Sequence, residues 1–575
     1  MTWRSSNSSV SELECLAYGV EQRGEGICLL LRIGGYRILL DCGVADTTPL
    51  TSKKVPPADM VLCSHAHADH ARGLLSLYRA FPNLPIYASE VTTQLLPLNW
   101  SDPVPESFCH ALPWRTPIEF FDGLTACLYP AGHLPGAAAF VITYTPPRTV
   151  GSARLAQRPY TVVYTGDYFL SNSRLVEGLP LDELRGMAPD VLIVEGSYGT
   201  ARHPHRRQQE NQFAERVSRA IAENYRILLP TASLGLAQEL LMLLRSHHHF
   251  TGKDFTIWVD DAIATACDAY LEILPHLPMS VQNFARHQPL FWDEKVRPRM
   301  RRLSTQLEQG IALTDLEAPC IVLCEETADL SAYYQTDPDS WLILLPQEPH
   351  RVSQATSGVV SDPSIASAAL RSRLGIPHTE TYLLAQHCDG PGTTQLIHNL
   401  RPQHVILVHG SPSYLADLAG LEELQNRYQL HTPITGVTVE LPIGETFLQP
   451  AAPENSYEGE LTEIDTFVTI TLPGSVTTDP RWRILADTGL IEARWQGDEL
   501  VLRGLPQREL LRQGSDRLTD WLDVAPPTTR SCCATCRHFR GQRCWNARSP
   551  LFELKVTPEG SCPVYEAALV DPQPE

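Results

Sequence analysis

The chain has 575 residues, 43% hydrophobic and 19% charged, with a formal net charge of −20. That length exceeds a single core and implies about three or four domains. The acidic balance excludes a general nucleic-acid coat protein but not a nucleic-acid enzyme, because bound cations and a local basic patch can reverse the sign inside a cleft.

The N-terminus, Met1-Thr2-Trp3-Arg4-Ser5-Ser6-Asn7, has no apolar leader core, and no run of about 18 apolar residues reads as a membrane span. Ten of the 15 cysteines stand outside the 532–562 region, singly beside apolar residues (Cys15, Cys28, Cys63, Cys127, Cys320), as reduced buried thiols do. These features predict a cytoplasmic protein with no membrane partner.

Three strands are expected first: Leu13–Tyr18, Ile27–Ile33 and Tyr36–Leu40. Gly34-Gly35 between the last two is a hairpin signal. Asp41 follows the third strand and precedes Cys42-Gly43, where a carboxylate can face a site or cap the turn. The apolar run Asp59–Cys63 reads as a short buried strand and leads into Ser64-His65-Ala66-His67-Ala68-Asp69-His70. Leu74, Leu75, Leu77 and Tyr78 follow at helical spacing. Three imidazoles and a carboxylate between two apolar elements need partners, and a divalent metal satisfies them best. Imidazole nitrogen and carboxylate oxygen suit zinc or manganese.

Four later apolar runs each deliver an ionisable residue beside a small or turn-forming one. Leu124–Pro130 leads to Gly132-His133, and Tyr160–Tyr164 to Gly166-Asp167. Val191–Val194 leads to Glu195-Gly196-Ser197, and Val405–Val408 to His409-Gly410. Ligands from several strand ends can converge on one edge of a layered sheet, where glycine lets the backbone come close.

Between these runs the pattern changes. Helices are expected at Gln212–Tyr225, Leu236–Leu244 and Ala262–Leu274, and strands at Ile227–Pro230, Phe255–Val259, Cys320–Leu323 and Trp341–Leu345. That alternation predicts an α/β domain with a parallel sheet. Residues 275–318 read as irregular. Their basic stretch, Lys295–Arg302, is either a solvated face or part of a phosphate-facing rim. Residues 450–460 read as a linker, and 461–505 as a small β unit with strands at Thr466–Ile470, Arg483–Ala486, Leu490–Trp495 and Glu499–Leu502. A helix is expected near Arg508–Gln513.

The order His65-x-His67-x-Asp69-His70, His133, Asp167 resembles the metallo-β-lactamase superfamily. Glu195-x-Ser197-Tyr198-Gly199, a long α/β insertion, Gln386-His387-Cys388-Asp389 and His409-Gly410 resemble its β-CASP branch, which contains ribonucleases of the J type and pre-mRNA cleavage nucleases. The resemblance covers about residues 12 to 450. It implies an αββα sandwich with an inserted α/β β-CASP domain, followed by a small C-terminal β and Cys-rich region.

It also implies that His65, His67 and His133 hold one Zn2+ or Mn2+, that Asp69, His70 and His409 hold a second, and that Asp167 bridges both. Asp41 would steer the ligands. Glu195 and His387 match the first two β-CASP motifs, with His387 facing the scissile phosphate. Histidine at 409 resembles the RNA-directed members; valine there is typical of DNA-directed ones. Asp41, Asp69, Glu195 and His387 are thus the expected catalytic side chains.

Three places depart from the family pattern. Leu236 stands where Gly-Arg-Ala-Gln-Glu carries arginine, Cys324–Asp329 is acidic where small residues are usual, and Cys388 replaces the alanine of His-Ala-Asp.

Near the C-terminus, Cys533-x2-Cys536-x7-Cys544-x17-Cys562 forms a four-thiolate set, with Cys532 spare. In a reducing compartment such a set reads as a metal site, either Zn2+ or a 4Fe-4S cluster, around which Phe539, Trp545, Leu551, Phe552, Val556 and Tyr565 could fold.

The expected domains are a core in two parts (1–204 and 371–450), an insert (205–370), a small β domain (461–515) and a cysteine module (528–568). The expected function is a metal-dependent ribonuclease, with RNA ahead of DNA as partner and a homodimer left open. The alternatives are an RNA-binding or redox-sensing scaffold and a small phosphoester or thioester hydrolase.

Overall fold

The computed structural model describes residues 13–147 apart from 23, 158–308, 312–347 and 377–443, together with short stretches between 460 and 567. The chain divides into two compact units, Met1–Pro453 and Glu454–Glu575.

The first unit is built on two seven-stranded sheets. In one, the neighbours run Thr438–Glu440, Leu13–Val20, Ile27–Ile33, Tyr36–Leu40, Met60–Leu62, Ile86–Ser89, His110–Leu112. In the other they run Gln429–His431, His404–Val408, Val191–Glu195, Tyr160–Tyr164, Ala138–Tyr144, Leu124–Pro130, Ile118–Phe121.

The strands are apolar on both faces because both faces are covered. Leu29, Leu31, Ile38, Leu40 and Leu62 from the first sheet pack with Leu128, Phe140, Val162, Ile193 and Ile406 from the second, forming the seam between sheets. Their neighbours in sequence, Leu30, Leu39, Val61, Val163 and Leu192, point the other way, into a second apolar layer with Leu74, Leu77, Leu396 and Leu415 from the flanking helices. The architecture is the αββα sandwich expected above.

A six-stranded sheet makes the insert, ordered Arg299–Arg302, Thr256–Val259, Cys320–Glu325, Arg226–Thr231, Trp341–Pro346, His378–Tyr382. Every pairing in it is parallel. Its last strand lies beyond residue 370, so the sheet reaches further along the chain than the expected insert boundary.

The stretch 275–318, read as irregular, contains the helix Met279–His287 and the edge strand Arg299–Arg302. That strand has no apolar run to mark it in the sequence, because only Met300 is buried and its neighbours are arginines. Arg299 pairs with Asp254 at 2.7 Å and Arg302 with Asp268 at 2.6 Å; Arg301 pairs with Glu294. The arginines of the basic stretch therefore have acidic partners of their own.

In the second unit, Glu460–Ile464 pairs with Phe467–Thr471, and Ile491–Gln496 with Glu499–Gly504. The expected strand at 483–486 and helix at 508–513 lie outside the described residues. No helix among the described residues is long and apolar enough to cross a membrane.

Candidate metal centre

Strand ends from both sheets of the sandwich meet at one edge. The strand Met60–Leu62 runs into the His65–His70 turn, and the strand Tyr36–Leu40 ends at Asp41, which takes a left-handed backbone with φ 57°. His409, at the end of His404–Val408, does the same with φ 52°. Such conformations are unfavourable for residues with a Cβ and mark places where the surrounding fold dictates the backbone.

Gly43 permits the closest approach. A Cβ there would sit 1.6 Å from the Asp69 carbonyl oxygen.

Three overlapping sets of donor atoms share Asp167 here: His65, His67, His133, Asp167; Asp69, His70, Asp167, His409; and Asp167, Glu195, His387, His409. In the third, Glu195 and His387 bond to each other, so the first two are the open sets. In the first, His67 Nδ1 lies 3.2 Å from His65 Nε2 and 3.0 Å from His133 Nε2. Asp167 Oδ2 lies 3.6 Å and 3.7 Å from those two Nε2 atoms. In the second, His70 Nε2 is 3.2 Å from Asp167 Oδ1, and His409 Nε2 is 3.4 Å from Asp69 Oδ2 and 3.5 Å from Asp167 Oδ2. Zinc–nitrogen distances of about 2.0–2.1 Å in a tetrahedron put neighbouring donors about 3.4 Å apart.

Each ring is turned by a partner on its other nitrogen. Asp41, fully buried, accepts from Ser64 N (2.6 Å), Ser64 Oγ (2.7 Å), His70 Nδ1 (2.7 Å) and the Tyr164 hydroxyl. Ser64 Oγ in turn stands 3.0 Å from His65 Nδ1. Glu195 repeats this arrangement: it accepts from Ser197 Oγ, which stands 2.9 Å from His409 Nδ1. His133 Nδ1 donates to the Gln386 carbonyl (2.9 Å), and His67 Nε2 to the Leu234 carbonyl (3.1 Å). On each of the five rings, the nitrogen not engaged in this way is the one turned toward the site.

His70 Nε2 and Asp167 Oδ1 face each other, buried, with no hydrogen-bond partner. Two acceptors in that position need a positive charge between them or a second proton on the ring. Burial opposes that proton, but the adjacent Asp167 and Asp41 carboxylates override it and lift His70 well above the ordinary imidazole range. Burial holds His65, His67 and His133 below that range, so they are neutral donors. The Asp69 and Asp167 carboxylates, the neutral imidazoles of the first set and the excess of buried negative charge that holds His70 up together fit a divalent cation.

His387 lies on the segment between the strand His378–Tyr382 and the helix Gly390–Leu400, with its Nδ1 2.8 Å from Glu195 Oε2. Its ring packs 4.5 Å from that of His133 and 5.4 Å from that of His409. Glu195 also accepts from Tyr168 N at 2.6 Å. Asp41 and Glu195, grouped above with the catalytic side chains, thus have their oxygens occupied in orienting imidazoles.

Sequence reasoning assigned no role to Ser64, Tyr164, Ser197 or the Leu234 and Gln386 carbonyls. Ser64 and Ser197 were visible as the small residues next to each ionisable strand end. The carbonyls carry no sequence signal at all.

Among the departures, Leu236 is buried in the apolar layer of the insert, and Glu325 ends the strand Cys320–Glu325. Of the four cysteines, Cys533 and Cys544 are buried beside Val556. Cys562 lies outside the described residues. Among the described residues, the cysteines join none of the gathered donor sets.

A beta-lactamase superfamily domain matches residues 36–222, and a Zn-dependent metallo-hydrolase RNA specificity domain matches residues 378–431. The chain is 47% identical over 572 residues to the "Uncharacterized protein sll0514" of Synechocystis sp., covering 97% of each. It is 28% identical to Ribonuclease TTHA0252 of Thermus thermophilus, over 54% of this chain and 72% of that protein. It is also 28% identical to the Probable RNase MJ4 of Methanocaldococcus jannaschii, over 38% of this chain and 54% of that one. The motif order, the sandwich with its parallel-sheet insert and these similarities agree: the chain belongs to the metallo-β-lactamase superfamily, in its β-CASP branch.

Proposed function

We propose that the chain is a metal-dependent ribonuclease acting through a dinuclear centre. The observation that supports this most is the pair of donor sets joined at Asp167. His65, His67 and His133 would hold one ion; Asp69, His70 and His409 would hold the other; and Asp167 would touch both, with Zn2+ or Mn2+ as the ions. When bound, such a pair supplies the charge that makes water nucleophilic near neutral pH and offsets charge on the phosphate oxygens.

The chain's own groups do the rest. Asp69, more exposed than the other carboxylates, sits at the mouth of the site to take a hydrogen bond from the attacking water. His387 carries a proton that Glu195 holds at Nδ1. Burial opposes its charged form, and the Glu195 carboxylate outweighs burial, so its pKa stands above the ordinary value. It would stabilise the developing phosphate charge or protonate the leaving oxygen.

RNA as the substrate is supported by the RNA specificity domain match over 378–431 and by the ribonuclease names of the relatives. The insert would close over the strand.

The test is RNA cleavage by the purified protein with Zn2+ or Mn2+, beside the double variant His65→Ala/His67→Ala. Metal-dependent cleavage lost in the variant supports the reading. Equal turnover in both proteins, or none on any RNA end type, overturns it. The cysteine module would hold a separate metal, Zn2+ or a 4Fe-4S cluster.

A further inference from the structure

The insert supplies no donor atom to either set, yet it reaches the centre. Leu234 and Gly235 lie on the turn between the strand Arg226–Thr231 and the helix Leu236–Ser246, at the carboxyl edge of the insert's parallel sheet. The Leu234 carbonyl accepts from His67 Nε2. Gly235 has φ +92°, and a Cβ there would lie 3.1 Å from Leu134 Cδ1 and 3.4 Å from His67 Nε2.

This turn has a built clamp. Gln238, fully buried, accepts from Gly235 N through Oε1 at 2.8 Å and donates from Nε2 to the Ser233 carbonyl at 3.0 Å. One amide side chain therefore holds the residues on both sides of Leu234.

We infer that Gln238 is a positioning residue of the metal centre, aiming the Leu234 carbonyl at His67 and so coupling metal affinity at the three-histidine set to the docking of the insert on the core. The inference rests on the dinuclear reading above. Its physical basis is the tautomer. With Nε2–H donated to Leu234, His67 keeps its lone pair on Nδ1, the atom 3.2 Å from His65 Nε2 and 3.0 Å from His133 Nε2. If the carbonyl moves, the ring is free to rotate or to carry its hydrogen on Nδ1. Partners of this kind are worth about 10–100-fold in metal affinity. Coupling of binding free energies is reciprocal, so metal uptake must also tighten the turn.

Gln238→Met keeps the side chain's length and removes the bonds to Gly235 N and the Ser233 carbonyl, together with the weaker one from Nε2 to Cys267 Sγ at 3.6 Å. Co2+ titrated against a competing chelator, followed by metal analysis and by its visible spectrum, reads the two positions separately. The expected result is a 10–100-fold loss at one position and no change at the other, so that one ion per chain remains at chelator levels where the wild type keeps two. A uniform loss at both positions, or wild-type affinity at both, overturns the inference.

Hydrogen exchange on the wild-type protein tests it even where the variant fails to fold. Amides of residues 231–240 should slow on loading with Co2+. Protection confined to the core turns around His65, His133, Asp167 and His409 refutes the coupling. A wild-type protein that takes up no divalent ion refutes the dinuclear reading instead.

Discussion

Asp41→Asn separates charge and tautomer from shape. The side chains are isosteric, and asparagine tolerates the left-handed backbone at this position, so the turn itself is undisturbed. The carboxylate accepts four hydrogen bonds. An amide keeps one oxygen for Ser64 N, and the Ser64 and Tyr164 hydroxyls can reverse their roles. His70 Nδ1 cannot adapt, because it would meet an NH2 with its own N–H. Either that bond is lost, at about 1–3 kcal/mol for the buried orphan, or the ring moves its hydrogen to Nε2, directly against Asp167 Oδ1. Both outcomes spoil the Asp69/His70/His409 set. Affinity there should fall about 10–100-fold, equivalent to about 1.4–2.8 kcal/mol. Competition between the protein and a chelator of known affinity measures this, and thermal unfolding of the metal-free protein measures the stability change separately. Two ions bound with wild-type affinity by Asp41→Asn would refute the claim that this carboxylate sets the tautomer of His70.

Gly43→Ala should abolish uptake at the same set and destabilise the chain, by more than the usual 1–3 kcal/mol or so of overpacking, because the added Cβ meets backbone 1.6 Å away and backbone cannot give; chemical denaturation with metal analysis checks both. Glu239, buried, accepts from Ser173 Oγ (2.7 Å), Leu175 N (2.9 Å), Arg174 N (3.0 Å) and Arg206 Nη2 (3.1 Å). Glu239→Ala should therefore cost about 3–5 kcal/mol in urea unfolding, as breaking a buried charged pair does. His404 and His431 pair at 3.0 Å, and burial lowers the pKa of both from 6.5. The unfolded chain takes up these protons first, so their contribution is complete above pH 6.5 and declines as the pH falls below it; His431→Gln, which keeps a donor to His404, should flatten that decline in a pH series of unfolding midpoints. Anaerobically purified protein with a 4Fe-4S cluster at the C-terminal cysteines should be brown and bleach on acid treatment, whereas one with Zn2+ should be colourless and carry one extra zinc.

The amino-acid sequence alone determined which chemistry is present. Its apolar runs end in His, Asp or Glu, and that pattern specifies both a layered sheet and a ligand-bearing edge, because a buried strand can expose a charged group only at its end. The parallel α/β insert was legible for the same reason: each strand is a continuous apolar run between amphipathic helices. Less could be read where packing is local and polar. Arg299–Arg302 forms a strand with one buried residue, and its arginines are satisfied by acids that lie at 254, 268 and 294.

What only the tertiary structure decided is which nitrogen of each ring faces the site. That choice is made by a serine hydroxyl, a carboxylate or a backbone carbonyl arriving from elsewhere in the chain, as when Leu234, 167 residues from His67, turns its ring. A carbonyl is common to every residue, so its direction follows from the fold and leaves no trace in residue type.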